Sequence, residues 1–296
     1  MTYLPFEAGP HRLQMGLMAL KPQDWIEIDD TLAATLLAKR RLLAERHDDV
    51  FSALPGTEDA GAEVLSLLAD HLPKRFPTQY PRMNTTIAIA ATGELVGIGT
   101  PGVHPLETAA RLVPEDLCLM RRAGDSYVLA AACVCFPSRW KLADKIGRSL
   151  AEIHGPVPDY AEALGRPVER FFDKITADRP VWRLNWTIHA DSQPFQPASP
   201  RVEGLDATNY GERVSLRVER QTLRRLPQSG DVLFTIRTYF TAIGTIARDA
   251  ETARRLAAAI ENLPESLRTY RSMTSFADAL VTWLRQNANR PRKGGS

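Results

Sequence analysis

His154 is the residue whose type and position most suggest chemistry. It stands in Ile153-His-Gly-Pro-Val-Pro158, at the end of a helix that the spacing of Trp140, Ile146, Leu150 and Ile153 predicts. Gly147 lies two turns back on the same predicted face, where a glycine lets a flat object approach closely. An imidazole at a helix end facing an apolar sheet can be the single proximal ligand of a haem iron. It can equally be a C-terminal histidine that interacts with the helix dipole, and spacing alone favours that plainer role. Three later segments add candidates. Over 181–189, Trp182, Leu184, Trp186 and Ile188 alternate with Arg183, Asn185, Thr187 and His189. Over 213–220, Val214, Leu216 and Val218 alternate with Arg213, Ser215, Arg217 and Glu219. Over 231–240, Val232, Phe234 and Ile236 alternate with Leu233, Thr235, Arg237 and Tyr239. The polar positions fit a solvated sheet face, the usual outcome of such alternation. The functional alternative is a polar lining above a cofactor, in which Arg and Asn bond dioxygen or carboxylates and Glu holds an amine.

Other chemistries lack their signatures. There is no Gly-x-Gly-x-x-Gly after a strand, no Walker loop, no Gly-x-Ser-x-Gly and no His-Glu-x-x-His. None of the six histidines pairs with another at helical spacing, which argues against a zinc site. Cys118, Cys133 and Cys135 form no Cys-x-x-Cys and no disulfide framework; they read as small buried residues. Cys135 is a weak alternative as a thiolate ligand, because its strand is apolar. Lys and Arg total 37 against 35 Asp and Glu, a net charge of +2 that does not suit a dedicated nucleic-acid binder. No apolar run reaches membrane-spanning length. The first residues lack a basic start and an apolar h-region, so a cytoplasmic location is expected.

These residues need elements to position them. Helices are predicted over 32–51 and over 60–72, the second stopping at Pro73, and a hairpin over 85–98. A short helix over 106–112 and strands over 116–122 and 126–136 precede the helix that begins at Pro137 and ends at Gly155. A shorter helix over 168–175, the three alternating strands, and helices over 249–263 and 272–286 complete the chain. Strand runs with few βαβ units favour an α+β architecture on an antiparallel sheet, with a final three-strand meander of PAS type. The expected organisation is a helical extension over 1–80, a core over 81–245, closing helices over 246–288 and a disordered basic tail over 289–296.

Several motifs together resemble the haem-dependent oxidative N-demethylase alpha-subunit family. They are Trp140-Lys-Leu-Ala-Asp-Lys-Ile-Gly147, Ile153-His-Gly-Pro-Val-Pro158, Arg183-Leu-Asn-Trp186, Arg217-Val-Glu-Arg-Gln-Thr-Leu-Arg-Arg-Leu-Pro227 and Phe234-Thr-Ile-Arg-Thr-Tyr239. Tyr3-Leu-Pro-Phe6, Met15-Gly-Leu17, Lys39-Arg-Arg-Leu-Leu43 and Glu115-Asp-Leu-Cys118 fit as well. The resemblance implies a PAS-like domain holding haem b, with His154 as iron ligand and Gly147 and Trp140 beside the macrocycle. It implies Asn185, Arg217 and Glu219 as pocket lining, Arg217 towards dioxygen and Glu219 towards the substrate ammonium. The implied reaction turns a small alkylamine such as dimethylamine into a primary amine and formaldehyde. Electrons would come from NADPH through a separate flavin and iron–sulfur reductase chain. A haem-PAS gas or redox sensor, or a haem-binding protein without turnover, are the alternatives; the oligomeric state is open.

Overall fold

The structure is a computed structural model that describes residues 3–99, 101–199 and 202–289. Pro200 and the basic ending over 290–296, expected to be disordered, lie outside them. Ten strands are present among the described residues: β1 (Met18–Ala19), β2 (Phe51–Ala53), β3 (Arg82–Met83), β4 (Thr86–Ile89), β5 (Glu94–Gly97), β6 (Asp116–Ala123), β7 (Ser126–Cys133), β8 (Val181–His189), β9 (Ser215–Arg225) and β10 (Val232–Ala242). β3, β4 and β5 form a small sheet. The rest form one antiparallel sheet in the order β1-β8-β9-β10-β6-β7-β2. Gly124, at φ +60°, turns the β6–β7 hairpin in a conformation that costs glycine little. A helical stretch follows β7, and the meander β8–β9–β10 then returns its last strand to the side of β6. The expected α+β class is present: helices cover an antiparallel sheet.

The helices cover the two sheet faces unequally. Leu32–Glu45 and Glu58–Arg75 pack with Leu117, Leu119, Ala131 and Leu233, and Ala250–Glu261 and Ala277–Ala288 pack with Val214, Leu216 and Val218. Both groups lie on one face. The opposite face carries Cys118, Met120, Leu223, Val232 and Phe234, covered by the segment over 140–175.

Three elements differ from expectation. The helix over 32–51 breaks at Arg46, whose φ of −141° is not helical; His47–Val50 is a separate turn, and Phe51 enters β2. The helix over 60–72 passes through Pro73 to Arg75. Proline there frees the Ala69 carbonyl, and Arg82 Nη1 donates to it at 3.3 Å. The long helix over 137–155 does not form. A 3₁₀ turn at Leu142–Asp144 leads to Gly147 at φ +75°, and only Leu150–His154 is α-helical. The backbone of this segment bonds to β7 instead: Gly147 N–H donates to the Leu129 carbonyl (2.8 Å), and Leu129 N–H to the Arg148 carbonyl (3.1 Å).

Candidate functional site

Strand register decides which polar side chains meet. Asn185 lies opposite Glu219, and Thr187 opposite Arg217. Across the next pair, Glu219 faces Thr238 and Arg217 faces Phe240. Residues paired in an antiparallel ladder share a face, so Arg183, Asn185, Arg217, Glu219, Gln221, Thr238 and Phe240 line one side. Arg237 and Tyr239 do not join them. They point to the helix-covered face, where Arg237 pairs with Asp29 at 3.0 Å and the Tyr239 hydroxyl donates to Glu27 at 2.5 Å. The single polar lining expected from alternation is thus two different sets, because one residue of register moves a whole strand's side chains to the other face.

Arg217 is held from several sides and is only 1% exposed. Its Nη2 donates to the Phe136 carbonyl (2.6 Å), to Glu219 Oε1 (3.0 Å) and to Thr238 Oγ1 (3.2 Å). Its guanidinium lies over the Phe240 ring, 5.4 Å from the centroid. Nη1 is buried with no partner. Glu219 also accepts from Asn185 Nδ2 at 3.3 Å and Gln221 Nε2 at 2.9 Å, both on Oε2. With Arg217 Nε donating to Oε1 at 3.2 Å, the carboxylate's roughly four acceptor positions are filled, Asn185 being the longest contact.

His154 closes the five-residue helix Leu150–His154, which Ser149 caps in a capping box with Glu152. Its Nδ1 donates to the Leu150 carbonyl at 2.9 Å, and its ring stacks on Tyr160 at 4.6 Å and 12°. Burial lowers the imidazole pKa below its ordinary value; the Leu150 carbonyl opposes this, while the charges of Lys145 and Arg183 reinforce it. The ring is thus neutral near pH 7, with its proton on Nδ1 and the Nε2 lone pair available. This is the state an iron ligand requires, and a backbone acceptor on the other nitrogen fixes it.

Lys145 and Arg183 link the two halves of the site. Both lie within electrostatic reach of His154 and of Glu219. Burial lowers the pKa of each. Lys145 Nζ donates to the Ile153 carbonyl at 3.2 Å and sits 4.7 Å from the Trp140 ring centroid. Trp140 is half-buried and packs with the apolar cluster that contains Cys118 and Phe234. Gly147 is not on a helical face with His154. Its positive φ serves the bend, and a Cβ there would meet only Leu54 Cδ2, at 3.9 Å.

The chemistry of this donor set suits haem. It combines a neutral imidazole, an apolar floor from Cys118 and Phe234, and cations with unfilled donors in Arg183 Nε and Arg217 Nη1. Cys135 does not compete as an iron ligand. It is fully buried in the cluster under the opposite face, where the Cys133 side chain and burial hold its thiol well above the usual range. No group of three or more His, Cys, Asp or Glu capable of holding a bare metal ion occurs among the described residues. No helix among them is long and apolar enough to cross a membrane. An open groove of about 730 Å³ along residues 151–170 includes none of Asn185, Arg217 and Glu219.

Alternation in sequence pointed to Asn185, Arg217 and Glu219, and the structure joins them in one hydrogen-bonded group. It did not point to Gln221 or Thr238, although both follow by twos along their strands once the register is known. Lys145 carried no signal, because a helix was expected where the chain bends. A family model for haem-dependent oxidative N-demethylase, alpha subunit-like, matches residues 16–281, a span that includes His154, Lys145, Arg183, Asn185, Arg217 and Glu219. The chain belongs to that family.

Proposed function

We propose that this chain is the haem-binding oxygenase subunit of an oxidative N-demethylase acting on a small secondary amine of the dimethylamine type. Overall, a secondary amine, dioxygen, two electrons and two protons give a primary amine, formaldehyde and water. The electrons come from NADPH through a separate flavin and iron–sulfur reductase chain. The observation that carries the reading is the pairing of a neutral, Nδ1-anchored His154 with a buried Arg217 whose Nη1 has no partner. The strand order β7-β6-β10-β9-β8, with a helical crossover between β7 and β8, supports a PAS-like core.

In this reading His154 Nε2 would hold the haem iron, and Trp140 and Phe234 would supply apolar surroundings for the group. The haem supplies the activation of dioxygen. Arg217 donates from Nη1 towards the oxygen substrate, where negative charge develops, from a position already set by Glu219, Thr238 and Phe136. Glu219 holds the substrate as its ammonium. That ammonium displaces Asn185 Nδ2, the weakest of the four donors on the carboxylate, and Asn185 then orients the bound amine. Burying a cation beside haem is favourable only against a paired anion, which Glu219 provides. The proton released when the ammonium becomes the reactive free amine passes to Glu219 Oε2.

An absorption spectrum of the chain expressed with ample haem, repeated with candidate amines, tests this reading. A Soret band that shifts on amine addition, with amine-dependent oxygen consumption and formaldehyde release under a chemical electron donor, is the expected result. A Soret band without turnover for any small amine would sink the demethylase reading. No Soret band would sink haem binding.

A further inference from the structure

A second group of buried cations lies by β8, and the mechanism above does not use it. Arg139 stands after β7, at φ +63°, a left-handed conformation unusual for a residue with a side chain. Its backbone N–H donates to the Gln196 carbonyl at 2.7 Å, and Ser138 bridges to Gln196, so the fold holds this conformation in place. Its Nη2 donates to the Ile188 carbonyl at 3.1 Å, near the end of β8, while Nε is buried without a partner. Arg271 comes from the corner after the helix Glu265–Tyr270 and lies over the Trp186 ring at 5.3 Å. Its Nη1 is also buried and unpartnered. Thr187 Oγ1 on β8 is also buried with no hydrogen bond. Neither Arg139 nor Arg271 forms an ion pair among the described residues, although surface arginines elsewhere in this chain do.

These cations feel one another. Burial, then the charges of Arg217 and Arg271, lower the Arg139 pKa to about 10. Burial brings Arg271 to about 10 as well. The same field acts on His189, whose pKa is pushed down to about 2 by burial and by Arg139 and Arg217, so it stays neutral and adds no charge. Asp191 opposes the shift at Arg139 and Glu219 that at Arg271, but neither carboxylate is in ion-pair contact with its arginine, so an anion that joins the two guanidiniums is favourable. A planar guanidinium prefers a carboxylate, which it can bind through two parallel hydrogen bonds. Arg183, on the His154 side, and Thr187 are four residues apart on β8, about 13 Å along the strand. Thr187 therefore lies at the far rim of the same lined face as the proposed iron ligand, and Arg271, over Trp186 on the other side of β8, lies within electrostatic reach of Arg139.

We propose that Arg139 and Arg271, with Thr187 Oγ1, form a carboxylate-binding rim that takes the propionate groups of the haem. The proposal rests on the haem reading above. Each arginine donates to one carboxylate, which neutralises the mutual repulsion of the pair and fixes the rotation of the macrocycle about its His154 anchor. The same chemistry would suit a free dicarboxylate or phosphate, so the test separates these sources.

The full-length chain is loaded with haem or with its dimethyl ester, in which both carboxylates are capped. Release to an excess of haem-scavenging apoglobin is followed at the Soret band for the wild type, Arg139→Gln and Arg271→Gln. A charge-assisted hydrogen bond is worth about a factor of ten or more. The wild type should thus release the ester at least about tenfold faster than haem, and each variant should release haem about tenfold faster than the wild type. In the double variant, haem and ester should leave at similar rates. Equal release of haem and ester from the wild type would overturn the proposal, and needs no variant to fold. So would variants that keep the full discrimination. Melting curves with succinate or inorganic phosphate form the other arm. An anion-induced stabilisation lost in both variants, with haem release unchanged, would make the rim a free-anion site and overturn the propionate assignment. A wild type that takes up no haem would remove the functional reading itself, and this one with it.

Discussion

The two faces of the large sheet treat arginine in opposite ways. On the helix-covered face, Arg220 and Arg237 are nearly as buried as Arg217, but each has its own carboxylate. Arg220 lies 3.1 Å from Glu27, and Arg237 lies 3.0 Å from Asp29 and donates to Thr31 at 2.8 Å. Glu27 also accepts from the Tyr3 and Tyr239 hydroxyls, both at 2.5 Å, and Arg220 donates to the Trp25 carbonyl at 3.1 Å. These groups lock N-terminal residues onto β9 and β10 between two apolar clusters. On the other face, Arg217 shares Glu219 with Asn185 and Gln221, and Arg183 and Arg139 form no ion pair among the described residues. One face uses buried charge to close the fold. The other holds arginines that have no carboxylate of their own. Burial of an arginine therefore says little about function; whether its partners come from the protein says more.

The contrast can be broken from the open face first. His154→Ala should abolish stoichiometric haem binding while the chain stays folded, because His154 bonds only to a local carbonyl and stacks on one ring. Titration with haem followed at the Soret band checks this; full occupancy with an unchanged spectrum would remove the axial assignment. On the closed face, Glu27→Ala should cost about 3 kcal/mol, the lower end for breaking a buried pair, since Glu27 is partly exposed. Urea unfolding reads this loss, and haem affinity of the folded protein should not change. An unaltered urea midpoint would mean that the closed face is not held by charge.

Smaller effects sharpen the distinction. Arg217→Ala should weaken oxygen binding about tenfold, the worth of a charge-assisted hydrogen bond, with haem content intact. Oxygen affinity and autoxidation rate are the measurements, and no change in either would end the proposed role. The pH dependence concerns His71, which packs against Trp25 and has its pKa lowered to about 4, chiefly by burial. Above pH 6.5 the ring is neutral in both folded and unfolded chains, so its contribution to stability is fully present. As pH falls from 6.5 towards 4, only the unfolded chain takes the proton and stability is lost, by about 1–2 kcal/mol after allowance for partial exposure. His154 and His189 shift in the same direction. His71→Phe should flatten the acid side of a stability–pH curve by its share; an unchanged slope between pH 6.5 and 4 would contradict this.

Much of the architecture was legible in the residues. Alternation by twos marks β8, β9 and β10, and apolar spacing marks the terminal helices, because side-chain direction repeats with the backbone. The missing long helix was not legible. Trp140, Ile146, Leu150 and Ile153 have helical spacing, yet Gly147 adopts a positive φ and the segment bonds to β7. Those partners come from residues about 20 positions earlier, and local spacing carries no trace of them.

Local sequence thus determined which residues alternate on each strand and that a lone histidine ends a helix before Gly155-Pro156. Only the tertiary structure decided which alternating sets share a face. Thr238, not Arg237, sits beside Glu219, and that single step of register sends one strand's arginine to a closing ion pair and leaves its neighbour's on the opposite face with Glu219 and Thr238. The reason is physical: each strand's periodicity is local, whereas its phase relative to the next strand is set by long-range pairing and by which face can be buried.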